Sequence, residues 1–384
     1  MNHKITVQDV FHRFLPEYSK NHSLSGQQHK AAQCISKCRT GEMGANVSEC
    51  EDCHRRHIHY NSCKNRNCPM CQGTEAEEWI DRQQEDVLDV PYFHLVFTIP
   101  EELYSLVYCN QKLLYDALYH AAHRTISELS SDPKYLGAET GYICVLHTWG
   151  SKMNYHPHIH VILLGGGLTA KNQWRDKGEE FFLPVRVMSK LFRGKYLHEL
   201  KTLWEEEKLQ FHGSSEKYRN RYTFKELLNL CYEKDWVPHC KKTFNGAQSV
   251  INYLGKYTHR IAISNHRIIR MDEDTVTYYV KDYRKEGKWK EFTISGIEFI
   301  RRFLMHVPPK RFVRIRHYGL LCTRTKARQL TLCRNLLGCR QYLSRLKSME
   351  TPQMLETLYG IKVTVCKCCG GHLGKPQQRI PLRC

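Results

Sequence analysis

From Cys38 to Cys71 the chain carries six cysteines set among His, Asn and Arg, with very few large aliphatic side chains. A stretch of that composition has no oily core to bury, so something other than apolar burial must hold it. Cys50 and Cys53 form one Cys-x-x-Cys pair, and Cys68 and Cys71 form another. Each pair suits a tight knuckle giving two thiolates to one metal, and two knuckles close a tetrahedral zinc shell. The spacing therefore predicts one zinc on Cys50, Cys53, Cys68 and Cys71. Its role is structural, because four thiolates leave no open position for chemistry. Cys38 and Cys63 are the candidates for a second site, with His54, His57 and His59 close by in sequence. The end of the chain reads CKCCGGH, where Cys366 and Cys369 have knuckle spacing but no second pair follows. Their partners stay open among His372, Cys384, Cys333 and Cys339.

The 18 cysteines of the 384-residue chain also bear on location. No apolar run approaches the roughly 18 residues a membrane helix needs, and the first residues lack the apolar centre of a signal peptide. The expectation is a cytoplasmic protein with reduced thiols, in which cysteines serve metals. Charge points to the partner. With 58 Lys+Arg against 39 Asp+Glu, the formal net charge is +19, which favours a polyanion through counterion release. Hydrophobic residues at 41% are enough for real cores.

Apolar periodicity predicts helices over 5–18, 26–37, 74–90, 102–130, 188–209 and 246–258. Strands are expected at YFHLVFTIP, and as a hairpin of GYICVLHTWG and HPHIHVILLGGG. HRIAISNHRIIRM and TVTYYVKDY suggest a small β unit further on. Strands and helices mixed in this order indicate an α+β fold. Three regions are expected: a helical and zinc-binding domain over 1–75, a catalytic core over 76–275, and a β unit, basic region and Cys-rich tail over 276–384.

Two segments carry chemistry. Side chains alternate along a strand, so His156, His158 and His160 share one face while Ile159, Val161 and Leu163 share the other. Two imidazoles one residue apart on a rigid strand are placed to grip a divalent cation. In the 246–258 helix, Tyr253 and Tyr257 are four apart and project from one face. A metal held by histidines can polarise a scissile phosphate, and a tyrosine hydroxyl can then attack it, leaving a phosphotyrosine and a free 3′-hydroxyl.

The segments YNSCKNRNCPMCQ (60–72), FHLVFTIPEEL (93–103), VLHTWGSKMNYHPHIHVILLGGGL (145–168), YLGKYTHRIAISNHRI (253–268) and RHYGLL (316–321) resemble the rolling-circle insertion-sequence transposases, the insertion-sequence ninety-one-like group with a His-hydrophobe-His motif. The likeness runs from about Cys38 to Leu337. It implies an endonuclease core of the HUH type, an antiparallel sheet with flanking helices, preceded by a zinc-binding domain. It also implies His158 and His160 as metal ligands and Tyr253 and Tyr257 as nucleophiles. HUH enzymes complete the metal shell with a third polar ligand. His147, on the neighbouring strand, is the first candidate, His156 the second and Gln248 the third. Where the family often has histidine, this chain has Asn46 and Asn67, which removes two candidate ligands of a second N-terminal zinc.

The expected function is therefore a transposase that nicks and rejoins single-stranded DNA, with structural zinc and catalytic magnesium or manganese. Two alternatives stand beside it: a plasmid relaxase or rolling-circle replication initiator, and a zinc-dependent DNA-binding protein without catalysis. Between Arg301 and Arg328 lie nine Lys or Arg and no Asp or Glu, interleaved with Phe303, Phe312 and Tyr318. Cations track phosphates and rings stack on bases, so Arg301, Arg302, Lys310, Arg311, Arg314 and Arg316 are the expected DNA contacts. Oligomeric state and DNA sequence preference are not written in the sequence.

Overall fold

The computed structural model describes residues 4–71, 73–178, 183–236, 238–242, 251, 255, 261–282 and 287–379. Two helices open the chain, α1 (Val7–Asn21) and α2 (Gly26–Lys37). Each starts with a capping box, Thr6 with Asp9 and Ser25 with Gln28, so side chains satisfy N–H groups that have no partner inside the helix. Strands β1 (Ala45–Glu49) and β2 (Arg56–Tyr60) pair antiparallel. Helix α3 (Gly73–Gln84) leads to strand β3 (Tyr92–Thr98), then α4 (Tyr104–Cys109) and α5 (Gln111–Ser131). The expected hairpin follows as β4 (Glu139–Trp149) and β5 (Tyr155–Leu168), with short β6 (Trp174–Asp176) beside β5.

Helices α6 (Val185–Glu205) and α7 (Arg221–Glu233) precede β7 (His239–Lys242). The β unit is β8 (Ile268–Met271), β9 (Thr275–Asp282) and β10 (Lys288–Ser295), followed by α8 (Gly296–Met305) and β11 (Ile315–Gly319). Helices α9 (Lys326–Leu337) and α10 (Thr351–Tyr359) and strand β12 (Gln377–Arg379) end the described chain. Strand β10 was not expected: six of its eight side chains are exposed, and only Phe292 and Ile294 alternate inward, too short a signal to stand out in sequence.

The central sheet runs β11-β4-β5-β3-β7, antiparallel throughout, with β6 on β5. The fold is thus α+β, an antiparallel sheet with helices on both faces. On one face Phe93, Leu95, Phe97, Cys144, Leu146, Ile159, Val161 and Leu163 bury against α5 and α6. The opposite face is divided. Ile143, Val145, Ile162 and Leu164 pack with Leu320, Leu321 and Leu330 at one end, and histidines occupy the other.

Packing crosses the boundaries expected at 75 and 275. Helix α1 lies on α8, with Phe11 edge-on to Phe303 at 5.2 Å, and both join Val276, Tyr278 and Val280 in one core. That core also takes Cys38, Cys68, Cys71 and Met153, the last from the turn between β4 and β5. The same turn is tied down by the β unit. Arg302 donates to the Lys152 carbonyl at 2.9 Å, and the Lys281 N–H donates to Ser151 Oγ at 2.6 Å. The ends of the two histidine-bearing strands are therefore fixed from outside the sheet. Among the described residues, no helix is long and apolar enough to cross a membrane.

Candidate active site

Strand alternation and pairing register assemble the histidines. His147 on β4 stands directly opposite His158 on β5, and Val96 on β3 stands opposite His160. Ring nitrogens of His147, His158 and His160 all lie within 4.8 Å of one another. The three rings are 3–8% exposed, so the group is walled off from bulk water.

Hydrogen bonds fix how the rings point. The His158 Nδ1–H donates to the His156 carbonyl at 2.6 Å, which leaves Nε2 facing the group. That Nε2 sits 3.1 Å from His160 Nε2. On the other side of its ring, His160 Nδ1 is 2.9 Å from His94 Nε2. His94 thus supports His160 from behind, as partners of metal-bound histidines commonly do. Trp149 stacks on His147 at 4.8 Å. Burial is the first cause that keeps all three rings neutral: it drives His158 down to about 3, and His147 and His160 well below the usual histidine range. Neutral imidazoles with converging nitrogens are what a divalent cation requires.

The other candidates fall differently. His156 shares the strand face, but its Nδ1 is hydrogen-bonded to the Tyr104 hydroxyl and it stands outside the converging group. His147 occupies the third position in that group. Gln248, Tyr253 and Tyr257 lie outside the described residues. Ile251 and Gly255, which flank Tyr253, are described. Ile251 is buried, and a Cβ on Gly255 would sit 2.1 Å from Ile80 Cγ1, so glycine is required for the close approach to α3. His94 was missed by the sequence reading, although it alternates with the core residues Phe93, Leu95 and Phe97 and so had to face the histidine side.

The basic stretch is less free than its composition suggested. Arg301 and Arg302 both clamp Glu298, which sits just before the counted run. Arg316 pairs with Asp116 and lies over the Tyr119 ring at 4.0 Å. Phe303 and Phe312 are core residues and present no face to a base. Lys310 and Arg311 are exposed. Arg314 is half-buried, and its charge is among those that hold down the proton affinity of His147. Of the six expected DNA contacts, it is the one whose field reaches the histidine group in that way.

The cysteines assemble in a pattern the spacing did not foretell. Cys50, Cys53, Cys68 and Cys71 do not share one site. Cys68 and Cys71 join Cys38 and Cys63, with Cys38 and Cys63 sulfurs 3.3 and 3.6 Å from that of Cys71. Cys50 and Cys53 lie instead with Cys366 and Cys369. The reason is local: β1 and β2 form a hairpin whose turn is the first knuckle, so Cys50 and Cys53 sit at its tip, apart from Cys68 and Cys71. Sulfurs on a tetrahedron with 2.3 Å metal bonds are about 3.8 Å apart, close to the separations seen in the inner cluster. Asn46 and Asn67 remove no ligand from either cluster, because cysteines complete both.

Comparison with known proteins agrees with this architecture. Residues 10–99 match the family model described as "Transposase zinc-binding domain", and residues 141–329 match the one described as "Putative transposase". A "Putative transposase" of Sinorhizobium fredii is 41% identical over 334 residues, covering 86% of this chain and 84% of that protein. The "Transposase for insertion sequence element IS801" of Pseudomonas savastanoi is 29% identical over 329 residues, covering 84% and 74%. Among solved structures, the conjugative relaxase TrwC bound to DNA overlaps 43% of this chain and 71% of its own, at 15% identity and a TM-score of 0.24. A score of 0.24 is too low to equate the two folds. The sequence match over most of both chains decides the matter: this chain, with its N-terminal zinc-binding domain, belongs to the IS91-like family of transposases.

Proposed function

We propose that this protein nicks and rejoins single-stranded DNA at the ends of a mobile element through a 5′-phosphotyrosine. The observation that carries the reading is the group of three buried, neutral imidazoles converging from two adjacent strands of a transposase. His147, His158 and His160 would hold a divalent cation, with His94 fixing the ring of His160. Bound there, the cation supplies positive charge to the scissile phosphate. Three nitrogen donors suit manganese better than magnesium, whose preference is for oxygen. Arg314, whose charge acts on His147, would bind a non-bridging phosphate oxygen.

Tyr253 or Tyr257 supplies the nucleophile. Its oxygen forms a bond to phosphorus, the bond from phosphorus to the 3′ oxygen breaks, and the 3′ oxygen leaves as a hydroxyl with the proton the tyrosine gives up. Rejoining is the reverse step, with a 3′-hydroxyl attacking the phosphotyrosine. Two tyrosines let one hold a cut end while the other cuts again.

The test is incubation with labelled single-stranded element ends, scored for a covalent adduct with and without manganese. The parent should form the adduct only with metal, and Tyr253→Phe/Tyr257→Phe should form none while still binding DNA. An adduct from the double variant would place the nucleophile elsewhere. A plasmid relaxase or replication initiator would nick equally but act on an origin and not on element ends. A protein with no catalysis would form no adduct under any condition.

A further inference from the structure

We propose that Cys50, Cys53, Cys366 and Cys369 form a second tetrathiolate zinc site, independent of the inner cluster, which clasps the C-terminal segment to the N-terminal domain. The Cys50 and Cys369 sulfurs are 3.4 Å apart, and those of Cys53 and Cys366 are 3.7 Å apart. These separations are too long for a disulfide at about 2.05 Å and near the edge of a zinc–thiolate tetrahedron. Neither knuckle has four ligands of its own, so each completes the other.

The backbone is built for the same purpose on both sides. In the first knuckle the His54 N–H donates to the Cys50 carbonyl at 3.0 Å, with His54 at φ 54°. In the second, the Gly370 N–H donates to the Cys366 carbonyl at 3.0 Å, with Gly370 at φ 81°. Two segments 316 positions apart in sequence thus make the same turn. Backbone N–H groups of Cys368 and Gly371 point at the Cys366 and Cys369 sulfurs at 3.4 Å, which favours the thiolate form a metal needs. The turns also touch. A Cβ on Gly371 would sit 1.8 Å from Asp52 Oδ2, so a side chain there would displace the Asp52 carboxylate.

Strand pairing continues the contact beyond the sulfurs. Leu373 bridges Cys50, the Glu51 N–H donates to the His372 carbonyl at 3.0 Å, and β12 adds antiparallel to β1 to make the order β12-β1-β2. β12 is only three residues long and the buried apolar cluster here is Cys50, Cys366 and Leu373. So small a core needs a staple, and a metal closing so long a loop restricts the unfolded chain strongly. The site has an exposed rim, Cys369 being open to solvent, whereas the inner cluster is embedded in the core of α1, α2 and α8.

Metal analysis of the purified full chain should find two zinc ions. Cys366→Ser/Cys369→Ser should retain one, and protease should then release a fragment beginning near residue 360. Cobalt substitution gives a second reading: the thiolate charge-transfer absorbance per chain should fall by about half in that variant, since each tetrathiolate site contributes equally. One zinc in the parent would overturn the proposal, as would two in the double variant. A parent mass showing two disulfides at these cysteines would overturn it as well. None of these readings involves DNA cleavage, so they stand or fall apart from the proposed nuclease chemistry.

Discussion

His306 is buried between the strands and the β unit: the Thr148 hydroxyl lies 3.1 Å from its Nδ1, and its Nε2–H donates to the Met153 carbonyl at 3.0 Å. Burial pushes it down to about 4, so it is neutral in the folded protein at pH 7. The unfolded chain takes up a proton near pH 6.5, and the folded one resists until about pH 4. Between those values the unfolded state binds more protons, and stability must fall as pH falls. The full shift would be worth about 3 kcal/mol at most, from 1.36 kcal/mol per unit. His306→Gln should flatten the pH dependence of urea unfolding over this window, whatever it does to stability at pH 7. An unchanged slope would mean that other groups set the acid sensitivity. A second residue-level expectation concerns His94. His94→Ala leaves the three-histidine group intact but removes the partner of His160 Nδ1. Metal affinity should drop by about tenfold to a hundredfold, as loss of an outer-shell partner commonly does, measured by manganese titration of DNA cleavage. Undiminished affinity would show that His160 is oriented without it.

Among elements, the histidine strand was the most legible, and the reason is geometric. A period of two places His158 and His160 on one face regardless of what surrounds them, and a two-strand hairpin then brings His147 opposite. Cysteine pairing was illegible for the opposite reason. Cys-x-x-Cys spacing specifies a knuckle but not its partner, and the partner of Cys50 and Cys53 lies at the other end of the chain. The basic run misled because charge was counted along the sequence: Glu298 and Asp116, which neutralise three of its arginines, fall outside the counted window. Gly255, in the segment expected to form the tyrosine helix, packs on Ile80 of α3. Gly255→Ala should overpack this contact, costing about 1–3 kcal/mol, and weaken adduct formation with it. Ile80→Ala makes room for the added methyl, so Gly255→Ala/Ile80→Ala should recover activity lost in Gly255→Ala alone. If the second change only adds to the loss, the contact with α3 does not position the tyrosines.

On the scale of the whole molecule, the zinc-binding domain is part of the frame of the proposed nuclease site. Arg66 lies in the loop held by Cys63, Cys68 and Cys71, and its guanidinium reaches across to the segment that precedes β11. It donates to the Phe312 carbonyl at 2.8 Å and to the Pro309 carbonyl at 3.2 Å. Two residues further on is Arg314, whose carbonyl accepts the Leu146 N–H at 3.0 Å, next to His147. The inner cysteine cluster thus supports, through one arginine, the chain that carries Arg314 to the histidines. Arg66→Met keeps the apolar stem of the side chain and touches no cysteine, so zinc content should stay at the parent value. Losing two charge-assisted bonds to carbonyls should lower unfolding free energy by about 2 kcal/mol. Adduct formation should fall further than that stability change explains, because Arg314 loses its fixed position, while manganese affinity at the histidines stays unchanged. Full cleavage by Arg66→Met with normal zinc would show that the 309–314 segment holds itself, and that the zinc-binding domain acts elsewhere. If cleavage and manganese affinity fall together, the histidine group itself depends on the contact, and the separate part given to Arg314 is wrong.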